Sequence, residues 1–411
     1  MAPEELETED AEAVRVPHEP LLRLFLRFLR FGLLAWGGPV AQIAMVRQEL
    51  VEEERWVSRA HFNRALALYQ VLPGPEAHEL CVYFGMLSRG RVGGLLAGLG
   101  FMLPGFLLML LLSWLYVRAG LESAWVKAAF ACVAAAVAAL IVRAVHRIGQ
   151  HAVTSRPLFV LALVAFAGQL AGLPFLLTLG WAGAAAAALM ASGRRGTLTL
   201  VTLGAAVAGA AWLLWEGGVR VPQESVHAAA ASAPSAWRLL GSGLRTGLLT
   251  FGGAYTAIPF LRRDAVVTGG WMTDAQFLDG IALGGVLPAP LIIFGTFVGY
   301  VSGGLWGALA ITAGIFAPAF GVTLLAHDAM ERLLHRAGAR HFLDGVTAGV
   351  VGLIAATALL LLPGTLQSPL TVGVFVLALA ALFLLKHKLA PLAVLGCAAL
   401  VGLAAHALGT G

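Results

Sequence analysis

Apolar residues in this chain run in long blocks rather than alternating one by one. Thirteen such segments can be read: Leu22–Met45, Phe62–Ser88, Gly94–Val117, Trp125–Val145, Leu158–Ala171, Leu173–Ala191, Leu198–Trp215, Leu239–Phe260, Phe277–Tyr300, Leu305–Ala326, Val346–Leu362, Leu370–Leu385 and Leu389–Leu408. Crossing the hydrocarbon of a bilayer takes roughly 20 helical residues. The pattern predicts an all-α polytopic membrane protein of about 13 helices, with Leu158–Ala171 the shortest span.

Composition agrees. Hydrophobic residues make up 59% of the 411 and charged residues 12%, about half the share a soluble protein carries. A water-facing surface cannot be built from that supply, which excludes a soluble enzyme, a disordered chain and a nucleic-acid binder. The 50 glycines suit membrane helices whose backbones approach closely. Cys81, Cys132 and Cys397 are scattered and form no CxxC pair, against both a disulfide framework and a metal site. Residues 1–20 are acidic rather than apolar at their start and read as a disordered cytoplasmic arm, with no signal peptide.

The net charge of +5 becomes informative once it is distributed over the loops. With the N-terminus inside, beside Arg23, Arg27 and Arg30, the inner loops collect Arg89 and Arg91, then Arg143, Arg147 and Arg156, and Arg194 and Arg195. Later inner loops hold Arg262 and Arg263, Arg332, Arg336 and Arg340, and Lys386 and Lys388. The outer loops hold the acidic run Glu52–Glu54 among some arginines, and two stretches, Val301–Gly304 and Pro363–Pro369, with no charge. This follows the positive-inside rule and predicts a cytoplasmic N-terminus and an external C-terminus.

The two halves also match each other. At an offset of 215, RFGLLAWGGP (Arg30–Pro39) meets RTGLLTFGGA (Arg245–Ala254), Trp56 meets Trp271, and VLPGP (Val71–Pro75) meets VLPAP (Val286–Pro290). Over Arg30–Pro75 this gives 18 identities in 46 positions, and Phe101 with Phe316 continues the register. The expected division is repeat 1 at 21–215 with about 7 spans, an external linker at 216–236, and repeat 2 at 237–411 with about 6. Seven spans before the linker invert the second repeat, the architecture of many secondary transporters, whose substrate site lies between the repeats.

Each repeat carries two breaks inside apolar segments. Gly37-Gly38-Pro39 corresponds to Gly252-Gly253-Ala254, and Pro73-Gly74-Pro75 to Pro288-Ala289-Pro290. Proline removes a backbone donor and stops a helix; Pro75 and Pro290 are placed to begin new half-helices. Half-helix N-termini aimed into the membrane would offer free N–H groups and positive dipole ends to an anion. Arg30 and Arg245 precede the glycines and either face that anion or snorkel to the interface. Gln42, Tyr69 and Gln70 in repeat 1 and Tyr255 and Thr256 in repeat 2 are candidate hydrogen-bond partners, or merely bridge helices. Glu76, His78 and Glu79 follow Pro75 within one turn. Glu76 is explained equally by the helix dipole, while proton coupling through the three is the functional alternative. Trp56 and Trp271 read as interface anchors. The stretch Gly94–Gly100 serves either internal packing or a homodimer face. HExxH, GxSxG and a phosphate-binding loop ending in GK[ST] are absent from the sequence, so no ATP-driven pump or protease is expected, and no cofactor or metal.

FGLLAWGGP, VLPGPEAHEL followed by FGMLSRGRVGGLLAGLGFMLPG, and FGGAYTAIPFL, VLPAP and FVGYVSGGLWGAL in the second half resemble the chromate ion transporter family, in its two-repeat form. The resemblance implies an inner-membrane exporter of chromate that confers chromate resistance, with sulfate as the look-alike anion. It places the family's GGP and PGP signatures on Gly37, Gly38, Pro39, Pro73, Gly74 and Pro75, and on Gly252, Gly253, Pro288 and Pro290. Ala254 and Ala289 depart from it. A sulfate or other oxyanion carrier working by uptake or exchange is the alternative, and a membrane-embedded enzyme or scaffold a third, disfavoured by the two inverted, similarly broken halves.

Overall fold

The computed structural model describes residues 16–36, 38–119, 124–192, 234–251, 254–327, 336–385 and 390–408, with single positions at 204, 329, 332 and 387. Gly37, Gly252, Gly253, the segment Leu198–Trp215 (except Gly204) and most of the linker lie outside the described residues. Among the described residues there are fourteen α-helices. In repeat 1 these are α1 (Leu21–Leu33), α2 (Gly38–Arg47), α3 (Arg59–Val71), α4 (Glu76–Ala119), α5 (Ala124–Ala152), α6 (Arg156–Leu170) and α7 (Phe175–Ser192). Repeat 2 holds α8 (Ala236–Leu248), α9 (Ala257–Arg262), α10 (Asp274–Val286), α11 (Phe294–Leu325), α12 (Ala337–Thr365), α13 (Pro369–Leu384) and α14 (Ala390–Ala407). The outer surface is apolar: Leu177, Leu377 and Leu400 are 64%, 72% and 67% exposed. Exposed leucines on long apolar helices mark lipid-facing sides, and the chain is an integral, polytopic membrane protein.

Four segments expected to cross the membrane instead fold back on themselves. Phe62 and Phe84 stack at 6.3 Å between ring centroids, although 22 residues of unbroken helix would separate them by about 33 Å. α3 and the first arm of α4 (76–88) are thus a re-entrant hairpin with Pro73-Gly74-Pro75 at its tip. In the same way Arg27 reaches Glu49 at 3.1 Å and Gln42 reaches back to Ala35, so α1 and α2 form a hairpin that begins to turn at 34–36. Repeat 2 copies both: Ser242 bonds Asp264 at 2.6 Å across the α8–α9 pair, and Phe277 meets Phe294 at 5.6 Å across the α10–α11 pair. Each arm of about 13 residues is about 20 Å long and stops near mid-membrane.

α4 and α11 also turn sharply. Arg89 (φ −139°) and Gly90 (φ 60°, ψ −156°) break α4, and Gly303 (φ −148°) and Gly304 (φ 62°, ψ −153°) break α11. The left-handed corner needs glycine at Gly90 and Gly304. After each corner a long arm, 91–119 or 305–325, crosses the molecule. Gly85 packs on Gly93, and Gly299 on Gly307, closer than any Cβ permits. Both pairs differ by 214. Gly32 against Phe101 and Pro104 likewise repeats as Gly247 against Ile315 and Pro318. Beyond the second tip the register is therefore 214, and Phe101 corresponds to Ile315 rather than to Phe316. Repeat 2 is one residue shorter between Pro75 and Gly85.

The two long arms run antiparallel, with Gly94 on Leu324 and Gly98 on Phe320. The 89–90 and 303–304 corners accordingly lie at opposite ends, and the two repeats are inverted. Gly94, Gly98 and Gly100 pack internally, the last against Phe25 and Leu29. Trp56 is buried, not an interface anchor; its indole N–H donates to Glu54 at 2.7 Å and its ring meets Phe84.

The repeats share their fastenings. Ser58 caps α3 and Thr273 caps α10, and π-helical turns close α2 at Gln48–Glu53 and α9 at Arg263–Thr268. Arg30 pairs with Glu49, and Arg245 with Asp264, both at an offset of 215. These arginines clasp the first hairpin of each repeat across its two arms.

Two outcomes follow from the hairpins. In a Cys397→Ser background, a thiol at Glu53 or Arg91 should react with an impermeant reagent from one side of the membrane, and one at Thr268 or Gln367 from the other. Glu53 and Arg91 labelling from opposite sides would restore the spanning reading. The second concerns the clasps. Arg245→Ala leaves Asp264, 6% exposed, with the Ser242 hydroxyl and should cost about 1–3 kcal/mol. Arg30→Ala should cost under about 1 kcal/mol, because Arg30 is 54% exposed and Arg27 still serves Glu49. Unfolding midpoints in detergent measure both; a reversed order would refute the clasp.

Candidate functional site

The four tips converge at the centre, because each hairpin stops about halfway across. All four return arms begin there, at Gly38, Glu76, Ala254 and Leu291, so their unsatisfied N–H groups open toward one region. Helices start one residue after Pro75 and Pro290, which stand outside the first turn.

The tips meet in two cross-repeat pairs, and the two pairs differ. In one, the Gly74 N–H donates to Thr250 O at 2.8 Å, joining the second tip of repeat 1 to the first tip of repeat 2. Gly74 sits against Ala319, and a Cβ at Gly74 would lie 3.1 Å from that methyl. The other pair has Ala289 against Gly105, the same placement on the other repeat. Its tip-to-tip bond is missing, however: the partner carbonyl at Ala35 takes the Gln42 side-chain amide at 2.9 Å, and the Ala289 N–H turns to Leu287 O.

A cavity occupies the place of the missing bond. Trp36 and Pro39 line it from the first tip of repeat 1, Leu287 and Ala289 from the second tip of repeat 2, and Tyr255 from the first tip of repeat 2. Its far wall is α5, which contributes Arg143 and Arg147. Spaced four apart on one helical face, the two guanidiniums present a positive edge to a cavity rimmed by half-helix starts. Arg143 forms no ion pair among the described residues. α5 ends beside the 89–90 corner's face of the molecule, where His146 packs on Phe383 and Pro391 begins α14. The cavity wall formed by Arg143, Arg147 and Pro391 is the one nearer that face.

The expected site residues that are described divide into four groups. Pro39 and Tyr255 line the cavity; Gln42, 1% exposed, holds its rim, and Thr256 is buried in the 3-10 turn behind Tyr255. Gly38, Pro73, Gly74, Pro75, Pro288 and Pro290 form the tips. Arg30 and Arg245 lie outside the cavity, each neutralised by its carboxylate in a clasp. Glu76 starts the return arm of α4, and His78 lies among Phe101, Phe316 and Phe320. Glu79 folds back on Gly74. Arg143 and Arg147 were legible only as loop charges; their signal was an Arg-x-x-x-Arg spacing inside a helix that runs on to Ala152. No group of three or more metal-ligating side chains occurs among the described residues.

Comparison with known proteins agrees with this architecture. The family model described as chromate transporter matches residues 22–210 and again 237–403. The chromate transport protein of Pseudomonas aeruginosa is 54% identical over 384 residues, covering 92% of this chain and 91% of that protein. That of Cupriavidus metallidurans is 31% identical over 432 residues, 99% of each. A probable chromate transport protein of Synechococcus elongatus is 29% identical over 404 residues, 94% of this chain and 96% of that one. These relatives are named as transporters, not enzymes, and no solved structure matches the chain. With both broken repeats inside the matched segments, the chain belongs to the chromate transporter family.

Proposed function

We propose that this protein is a secondary transporter that exports chromate across the bacterial inner (plasma) membrane and so confers chromate resistance. In this reading the 89–90 face and the N-terminus are cytoplasmic and the C-terminus is external, which puts Arg89, Arg91, Arg143, Arg147 and Arg156 on the inner side, as the positive-inside rule asks. The halves 21–215 and 237–411 are the two moving units, joined by the linker 216–236.

The observation that carries the reading is the inequality of the two tip pairs. One is latched by Gly74 and Thr250; its counterpart is parted around a cavity walled by Arg143 and Arg147. Inverted repeats have a second arrangement in which the roles of the pairs are exchanged, and alternation between the two exposes a central site to each side in turn. The arginines draw a dianion from the cytoplasm to the rim, and the converging N–H groups receive it. The membrane potential favours the exit: each elementary charge moved through 100 mV yields about 2.3 kcal/mol, and a dianion about twice that.

Chromate and sulfate share charge and tetrahedral shape, and backbone N–H groups accept either. Flux of each anion into liposomes carrying the purified protein decides between them. Chromate is expected to move, with sulfate as competitor; sulfate flux without chromate flux would turn the protein into a sulfate carrier. Arg143→Gln together with Arg147→Gln should raise the half-saturating chromate concentration on the cytoplasmic side at least tenfold, since hydrogen bonds to charged groups are worth about 1.5–3 kcal/mol. The paired lysine variants should recover part of that loss. Unchanged half-saturation would remove α5 from the site.

A further inference from the structure

We propose that Glu79 binds the proton that accompanies the anion, and that Tyr69, His327, Tyr83 and His61 carry that proton between Glu79 and the 89–90 face; this rests on the transport reading above. Glu79 is fully buried, and neither carboxylate oxygen has a hydrogen-bond partner among the described residues. A structural carboxylate at such depth would be paired. Its Oε1 lies 2.8 Å from where a Cβ of Gly74 would stand, so the carboxyl touches the residue whose N–H forms the tip latch.

One helical turn along the same face stands Tyr83, four residues on. The Tyr83 hydroxyl is hydrogen-bonded to His61 Nε2, and its ring stacks on His327 at 5.0 Å. His327 Nδ1 in turn bonds the Tyr69 hydroxyl at 2.9 Å, and the two tyrosine rings lie 5.9 Å apart. Tyr69 and Tyr83 are buried, while His61 and His327 are partly exposed. A carboxyl near the tip, two tyrosines and two partly accessible imidazoles thus descend the α3–α4 hairpin in order. His327 arrives from the end of α11, so the chain bridges the two repeats.

The second repeat has the same hairpin without this chemistry. Its residues at these places are Gln276 for His61, Gly284 for Tyr69, Ile293 for Glu79 and Phe297 for Tyr83, and Ser113 stands for His327. The hairpin fold therefore does not require them. On the opposite face a single bond from Tyr116 to Asp279 occupies the equivalent region.

Glu79 faces few other titratable groups. Its own turn brings Glu76 and His78, and α3 brings Tyr69. The long arm of α4 carries none between Arg91 and Tyr116, and 305–325 of α11 carries none. α8 brings Arg245, already paired with Asp264, and the hydroxyls of Thr246 and Thr250. With no cation to balance it, an ionised Glu79 repels a dianion at the tips. The anion enters when Glu79 is a carboxylic acid. Glu79 takes up its proton from the 89–90 face through the histidine–tyrosine chain; on release the acid O–H bond breaks, the proton passes to water on the opposite, open side, and the carboxylate is regenerated. One proton is taken from water on one side and returned to water on the other, in the direction of the anion, so the coupled step moves one net negative charge and draws about 2.3 kcal/mol from 100 mV where the dianion alone would draw about twice that; nothing else is consumed.

The test uses the full-length protein in liposomes with an entrapped pH dye, the membrane potential clamped by potassium and an ionophore, and alkaline buffer in which chromate is the dianion. Wild-type protein should move one proton with each chromate, in the same direction. Glu79→Gln should keep chromate flux while lowering the accompanying proton movement at least tenfold; Glu79→Asp should keep both. Tyr83→Phe and His61→Gln should slow coupled flux in wild type and have no effect in the Glu79→Gln background. If Glu79→Gln does not fold, the Tyr83→Phe and His61→Gln variants decide. Chromate flux without proton movement in wild type, or proton movement unchanged by Glu79→Gln, overturns the proposal. Absence of any anion flux in wild type instead overturns the transport reading beneath it.

Discussion

Inside hydrocarbon no water is present to satisfy an open peptide group, and an unsatisfied one costs several kcal/mol. A helix may stop in mid-membrane only where other protein receives its end. Eight half-helix ends stop there in this fold, so each tip must be enclosed by a tip or long arm of the other repeat. Gly74 on Ala319 and Thr250, and Ala289 on Gly105, are that enclosure. The two long arms crossing antiparallel between them follow from the same need, and so do the small residues at Gly85, Gly93, Gly299 and Gly307, which let the arms close to backbone contact. The requirement that makes the breaks costly also leaves their N–H groups gathered at one dry centre, the condition an oxyanion site needs.

Duplication made the scaffold symmetric, and substitution made it functional on one side. Caps, π turns and clasps recur at an offset of 215, the corners and glycine contacts at 214. Arg143 and Arg147 have Thr357 and Leu361 opposite at the offset of 214, just as Glu79 has Ile293. Groups that fasten the hairpins are kept in both halves, whereas groups that bear charge toward the centre are found in one. This separates two kinds of polar residue that look alike in an apolar sequence. Arg30 is a fastening because its counterpart Arg245 meets the same kind of partner at the same place.

Much of this was legible in the chain. The helical class, the duplication, the inversion and the positions of all four breaks follow from hydropathy, self-comparison and proline chemistry. The re-entrant hairpins did not. A hairpin of two 13-residue arms and one tilted span have nearly the same length and hydropathy, so Phe62–Ser88 fits both. Loop charge could not separate them either. Folding back two consecutive segments removes two crossings and leaves every later loop on its expected side; only 48–58 and 262–273 change sides. Arg143 and Arg147 were hidden for a related reason. The apolar segment stops at Val145, just past Arg143 and short of Arg147, but the α5 backbone continues to Ala152, and an arginine inside a helix faces whatever lies beside it. Phe101 and Phe316 misled through a chance identity across a one-residue deletion, which only the paired Gly32–Phe101 and Gly247–Ile315 contacts expose.

The deletion itself bears on mechanism. It falls between Pro75 and Gly85, in the stretch where the α4 return arm starts directly as α-helix at Glu76 and its counterpart begins with the 3-10 turn Leu291–Ile293 before α11. A 3-10 turn rises more per residue than an α turn and rotates the side chains that follow. Two hairpins of the same ancestry thus present their tips at different pitch, and they cannot latch equally well in the same instant. The parted pair around the cavity is the one that contains the shortened arm. Inequality of this kind is written into the chain, and in this structure one pair is latched through Gly74 and Thr250 while its counterpart stands parted around the cavity.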